Sequence, residues 1–173
     1  MRARELPVVR YADHPRVEVD IDVAAGPTAV WGLVTDINLP ARFSSEFKGA
    51  DWLDGATGLR VGATFRGRNA HDAIGAWETS CTVVACEPER VFAWEVQGPG
   101  GEPSAEWGFS IEPTADGCRV TQWARMGPGP SGLTPAIERM PDKEERIVGR
   151  RLDEWRTNMT ANLEGIKALA EAV

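Results

Sequence analysis

Between residues 17 and 23 the chain reads Val-Glu-Val-Asp-Ile-Asp-Val, apolar and acidic side chains in strict alternation. A period of two marks a strand with one buried face, so Val17, Val19, Ile21 and Val23 turn inward and the three acids outward. Gly26-Pro27 then opens a helix, because proline at the first helical position gives up an N–H that would lack a partner anyway. Val30, Leu33, Val34 and Ile37 form its apolar stripe, and Asn38, ahead of Leu39-Pro40, predicts the cap of a second short helix, LPARFS.

From residue 47 onward the period returns to two. Segments 48–54, 63–71, 76–86, 90–97, 104–112 and 117–126 read as strands, broken by DGATG, AIG, EPE, GPGGEP and PTADG. Connections this short join antiparallel neighbours, since parallel pairs need long crossovers. After the loop GPGPSG (127–132) the pattern becomes helical to the end, with Val148, Leu152, Trp155, Met159, Leu163 and Ile166 at spacings of three and four. A helix of about 25 to 30 residues would be about 40 Å long and must lie across something large. The predicted fold is α+β: a seven-stranded, curved antiparallel sheet, two short helices after its first strand, and a long C-terminal helix covering its apolar face. Residues 1–15 read as a loose or edge-covering extension, and 16–173 as a single domain.

The sheet face predicted to meet that helix is not smoothly aliphatic. In TFRGRNAH (64–71), Phe65, Gly67, Asn69 and His71 share the inward parity, while Thr64, Arg66 and Arg68 face out. Thr79 and Gln122 interrupt other inward faces that carry Trp94, Trp107 and Phe109. Aromatic rings mixed with a few neutral polar groups suit a small-molecule cavity, with Gly67 leaving room in it and the loops 98–103 and 127–132 near its mouth. Trp123 breaks the pattern by facing solvent. A homodimer contact, the first fifteen residues, or a bulge in the last strand would each account for it.

Three stretches carry a resemblance: VEVDIDVAAGPTAVWGLVTDINLPARF; VGATFRGRN leading into AWETSCTVVACEPERVFAWEV; and AEWGFSIEPTADGCRVTQ. Together with the element order they resemble the START-like (SRPBCC, helix-grip) superfamily, which includes polyketide cyclase/dehydrase, lipid-transfer and birch-pollen-allergen branches. The resemblance implies a hydrophobic or aromatic ligand held between sheet and helix. It places Phe65, Asn69, Trp94, Trp107, Phe109, Gln122, Trp155 and Met159 at the ligand. It supplies no shared catalytic motif. A polyketide cyclase/aromatase-type enzyme acting in the same cavity is the alternative, with Asn69 holding the substrate and His71 moving protons. Aromatase-type members use an inward arginine, whereas Arg66, Arg68 and Arg125 have outward parity here.

Composition narrows the rest. A net charge of −7 disfavours nucleic acid and anionic membranes as partners. The arginines at 146, 150, 151 and 156 are interleaved with acids and read as a solvated helix face. No run of apolar residues is long enough to span a membrane, and the start lacks a secretory pattern, so a cytoplasmic location is expected. Cys81, Cys86 and Cys118 form no C-x-x-C pair and read as small buried hydrophobes. Two histidines, His14 and His71, without ligand spacing predict no metal site. VGATFRG and PGPSG lack a phosphate-binding context, so no cofactor is expected.

Overall fold

The computed structural model describes residues 9–56 and 58–172. The chain forms β1 (Arg16–Val23), α1 (Pro27–Val34), a 3-10 turn (Leu39–Arg42), then β2 (Phe47–Trp52), β3 (Thr64–His71), β4 (Gly75–Glu87), β5 (Val91–Gln97), β6 (Pro103–Thr114) and β7 (Gly117–Met126). Two short helical pieces, α2 (Thr134–Arg139) and a 3-10 turn (Pro141–Lys143), lead into α3 (Glu144–Glu171). All seven strands lie in one antiparallel sheet in the order β1-β7-β6-β5-β4-β3-β2. Each of β2 to β7 pairs with its sequence neighbour, through short turns from β3 onward, and the segment holding α1 carries the chain from one sheet edge to the other. This is the helix-grip α+β architecture expected from the sequence.

The 28 residues of α3 reach about 42 Å at 1.5 Å per residue. Its buried stripe is Val148, Met159, Asn162, Leu163, Ile166 and Ala170. The helix is seated along β1 and β7 and against α1, without comparable contact to the middle strands. Phe43 anchors this seat: a Cβ built on Gly165 would lie 2.4–2.5 Å from its ring atoms. Only a residue without a side chain lets the ring lie against the helix backbone.

Two local expectations are corrected. The helical pattern beyond residue 132 is interrupted at Met140, whose extended φ of −138° precedes Pro141, so α2 and α3 are separate. Asn38 does not cap its turn with its side chain; its Oδ1 instead accepts the Ala50 N–H at 2.8 Å, tying the turn to β2. Trp123 needs no bulge, because β7 runs in unbroken register with both β1 and β6. Its ring lies over Gly108, where a Cβ would come within 2.5 Å, and the Arg16 guanidinium sits 4.3 Å from the ring centroid. Residues 9–15 carry a 3-10 turn, Tyr11–Asp13, bound to the rest of the fold. The Tyr11 N–H donates to Glu144 Oε1 at 2.9 Å, and the Tyr11 hydroxyl lies 2.8 Å from Gly129 O and 3.2 Å from Ser104 O. The rest of the predicted extension, residues 1–8, lies outside the described residues.

Candidate functional site

Because α3 is seated at one side of the sheet, a cavity of about 590 Å³ opens between its middle turns, Arg151 to Asn162, and the concave middle strands. The wall is aromatic. Trp94 of β5 stands among Phe92, Phe65 and Phe109, with ring centroids 4.9, 6.1 and 6.2 Å away. Trp107 of β6 meets Trp155 of α3 at 4.7 Å and 54°, joining sheet to helix across the cavity. Met159, Asn69 and Gln122 complete the set of eight that the resemblance placed at a ligand, and all eight lie on the wall. Gln97, Pro99, Ser131 and Leu133, from the β5–β6 hairpin and the loop before α2, lie at its rim beside Tyr11.

Two inward residues are placed differently from the sequence expectation. Gly67 is on the wall but does not leave space, since the Thr79 Oγ1 and the Phe47 ring already stand 2.8 and 3.3 Å from where its Cβ would be. His71 is not among the lining residues. As the last residue of β3 it follows the turn: its Nδ1 accepts the Ala73 N–H at 3.1 Å and its Nε2 lies 3.6 Å from Glu154 Oε1.

Two cavity-lining side chains escape the sequence reading. The solvated face expected for the helix arginines holds for the exposed Arg146, Arg150 and Arg156. Arg151 instead lines the cavity, and it and Glu46 are each 13% exposed. Its guanidinium grips both oxygens of Glu46 at 2.5 and 2.6 Å and donates to Glu154 Oε2 at 2.9 Å. Its place three residues after Val148 and four before Trp155 puts it beside the apolar stripe, a signal present in the spacing. Asn162 lies on the stripe itself, three after Met159 and four before Ile166. It is 2% exposed and lines the cavity.

Electrostatics limits what this wall can do. Burial works against the charged Arg151, but the hydrogen bonds and charges of Glu46 and Glu154 outweigh it and raise its pKa. Burial likewise works against the Glu154 carboxylate, and Arg151 and Arg150 outweigh it, holding its pKa below 4.5. Ligand atoms of Glu46, His71 and Glu154 lie within 4.8 Å of one another, a spacing that could hold a cation. Arg151 already supplies the positive charge there, so the group is an ion-pair network closing α3 onto the strand edge. Cys81, also on the wall, is pushed up to about 12 by burial, which keeps its thiol protonated and poorly nucleophilic.

The model of the family described as polyketide cyclase / dehydrase and lipid transport matches residues 14–171, and the chain belongs to that family. No curated protein matches the chain. Among solved structures, a polyketide-cyclase-like protein from Corynebacterium glutamicum is 29% identical over 88% of each chain, with a TM-score of 0.62. The di-domain ARO/CYC StfQ of the steffimycin biosynthetic pathway is 18% identical over 91% of this chain and 50% of its own, with a TM-score of 0.69. A protein from Chromobacterium violaceum is 13% identical over 91% of this chain and 98% of its own, with a TM-score of 0.58. The last two likenesses speak to the fold. Among the described residues no helix is long and apolar enough to cross a membrane.

Proposed function

We propose that this protein encloses one small hydrophobic or aromatic molecule between the curved sheet and α3. The observation that carries this is the cavity itself: about 590 Å³, within the range of small-molecule sites, walled by rings from β3, β5, β6 and α3. Phe65, Trp94, Trp107, Phe109, Trp155 and Met159 would supply contact area, and Asn69 and Gln122 orientation. Three unpaired cysteines fit a reducing compartment such as the cytoplasm.

The family description keeps a cyclase in view, and the wall-lining guanidinium of Arg151 is the one feature that favours it. That charge is committed to Glu46 and Glu154, and His71 stands off the wall, so the geometry supports enclosure better than proton transfer. In the cyclase reading, Asn69→Ala and His71→Ala would abolish turnover while leaving binding near normal. The test of enclosure is a fluorescence titration with N-phenyl-1-naphthylamine, read by energy transfer from the wall tryptophans. Saturation at one probe per chain, reversed by fused-ring aromatic competitors, is expected. Weak, non-saturating signal would overturn the proposal.

A further inference from the structure

The cavity wall holds one polar atom that nothing satisfies. Asn162 Nδ2 donates to Gln122 Oε1 at 3.0 Å, bridging α3 to β7. Asn162 Oδ1 is buried and is the one buried side-chain oxygen or nitrogen without a hydrogen-bond partner among the described residues. The residue is 2% exposed and Gln122 6%, so bulk water does not hydrate the pair. Its surroundings are apolar: Met159, Leu163 and Ile166 flank Asn162 on the helix, and Val19 and Phe109 flank Gln122 on the adjoining strands. An amide in such a place is destabilising until an N–H or O–H donates to it. Leucine would pack there without that cost.

The pair also offers the complementary group. With Gln122 Oε1 engaged by Asn162, the Gln122 amino group remains as a donor among the described residues. Both residues line the cavity, so the two linked amides bring one acceptor and one donor to the same stretch of its wall, where a small turn of the Asn162 side chain uncovers the acceptor to a ligand. Exchanging oxygen and nitrogen in both amides yields the same inventory, so the result does not depend on how each amide is oriented. One small group fits both sites at once: a hydroxyl, which donates through its hydrogen and accepts through its oxygen. A ketone serves the donor and leaves the acceptor orphaned, and a hydrocarbon leaves both.

We infer that the ligand is a hydroxylated aromatic molecule whose hydroxyl seats between Asn162 and Gln122 while its rings lie against the tryptophan wall. This deepens the enclosure proposal and rests on it. The phenol class follows from the two features together, an aromatic body for the rings and a hydroxyl for the amides.

The test compares 2-naphthol with 2-methylnaphthalene, a methyl replacing the hydroxyl at nearly constant shape, on the full chain and on an Asn162→Leu/Gln122→Met variant. Water favours the hydroxyl and expels the methyl, so the affinity ratio on one protein mixes hydration with recognition. Dividing the two proteins' ratios removes hydration. The expected result is that the double variant shifts preference from naphthol toward methylnaphthalene by about tenfold or more. Both lost amides are replaced by apolar groups of similar size, so the variant keeps its fold, which its unfolding transition checks. If it does not fold, Asn162→Leu alone must shift the preference in the same direction. A ratio unchanged within about twofold while both probes bind overturns the hydroxyl assignment and leaves enclosure standing. Binding of neither probe to the wild type removes both.

Discussion

Gly149 and Gly165 lie in the same helix, α3, yet alanine should act oppositely at the two. Alanine in a helix interior is favoured over glycine by about 1 kcal/mol. At Gly149 a new Cβ meets nothing within 4 Å, so that gain should appear almost in full. At Gly165 the Cβ would stand 2.4–2.5 Å from three atoms of the Phe43 ring, closer than carbon atoms approach. The ring must move, or the helix must lift from its seat. Overpacking of this kind costs about 1–3 kcal/mol, and the severity of the overlap argues for the upper half of that range. Subtracting the helix gain leaves Gly165→Ala destabilised by about 1–2 kcal/mol, and the two variants apart by about 2–3 kcal/mol. Urea unfolding followed by tryptophan fluorescence resolves this, since an m-value of about 2 kcal/mol/M separates the midpoints by about 1 M or more. Adding Phe43→Ala should make the Gly165→Ala penalty vanish, because the two changes then share one contact. Equal stabilisation by both alanines would refute the anchored seat, and with it the reason the helix leaves a cavity along Arg151 to Asn162.

Arg151→Met should destabilise the fold by about 2–3 kcal/mol, less than the 3–5 kcal/mol of a fully buried broken pair because cavity water can reach the stranded carboxylates. The deficit depends on pH. The Glu154 pKa is lowered in the fold, so its contribution is complete above its ordinary 4.5 and is lost as pH falls through the folded value. The thermal-midpoint gap between wild type and Arg151→Met should therefore be widest near neutrality and narrow in acid; a gap that is flat or widens in acid would contradict the network. Cys81, at about 12, should resist alkylation by iodoacetamide in the folded protein at neutral pH and react once urea unfolds the chain, as read by mass spectrometry. Rapid native-state modification would show that its burial is not maintained.

The scaffold was legible because it rests on periodicity. Alternation at 17–23 and the turn clusters between later strands specify antiparallel neighbours, and the three-four spacing from Val148 to Ile166 specifies the covering helix. Parity gave the strand residues of the wall their inward direction, whereas the eight positions at a ligand, Trp155 and Met159 of the helix among them, came from the resemblance. What parity cannot carry is who meets whom across 40 or more residues, so the Asn162–Gln122 bridge and the Arg151–Glu46 grip depended on where α3 is seated. Their candidacy was nonetheless present, since both helix residues fall on or beside the apolar stripe. Gly67 and His71 show the opposite limit: parity gave each a direction, but packing by Thr79 and Phe47 and the turn after β3 decided what occupies that space.

The account turns on a void that a guest can enter, and the most direct measurement is N-phenyl-1-naphthylamine binding to Ala105→Phe. Ala105 is buried and lines the cavity. With a void beside it, the new ring should fit at a cost below about 1 kcal/mol, and probe binding should weaken more than about tenfold. A packed interior would instead lose about 1–3 kcal/mol or more to overcrowding, and unchanged binding would place the probe elsewhere; either result contradicts the account.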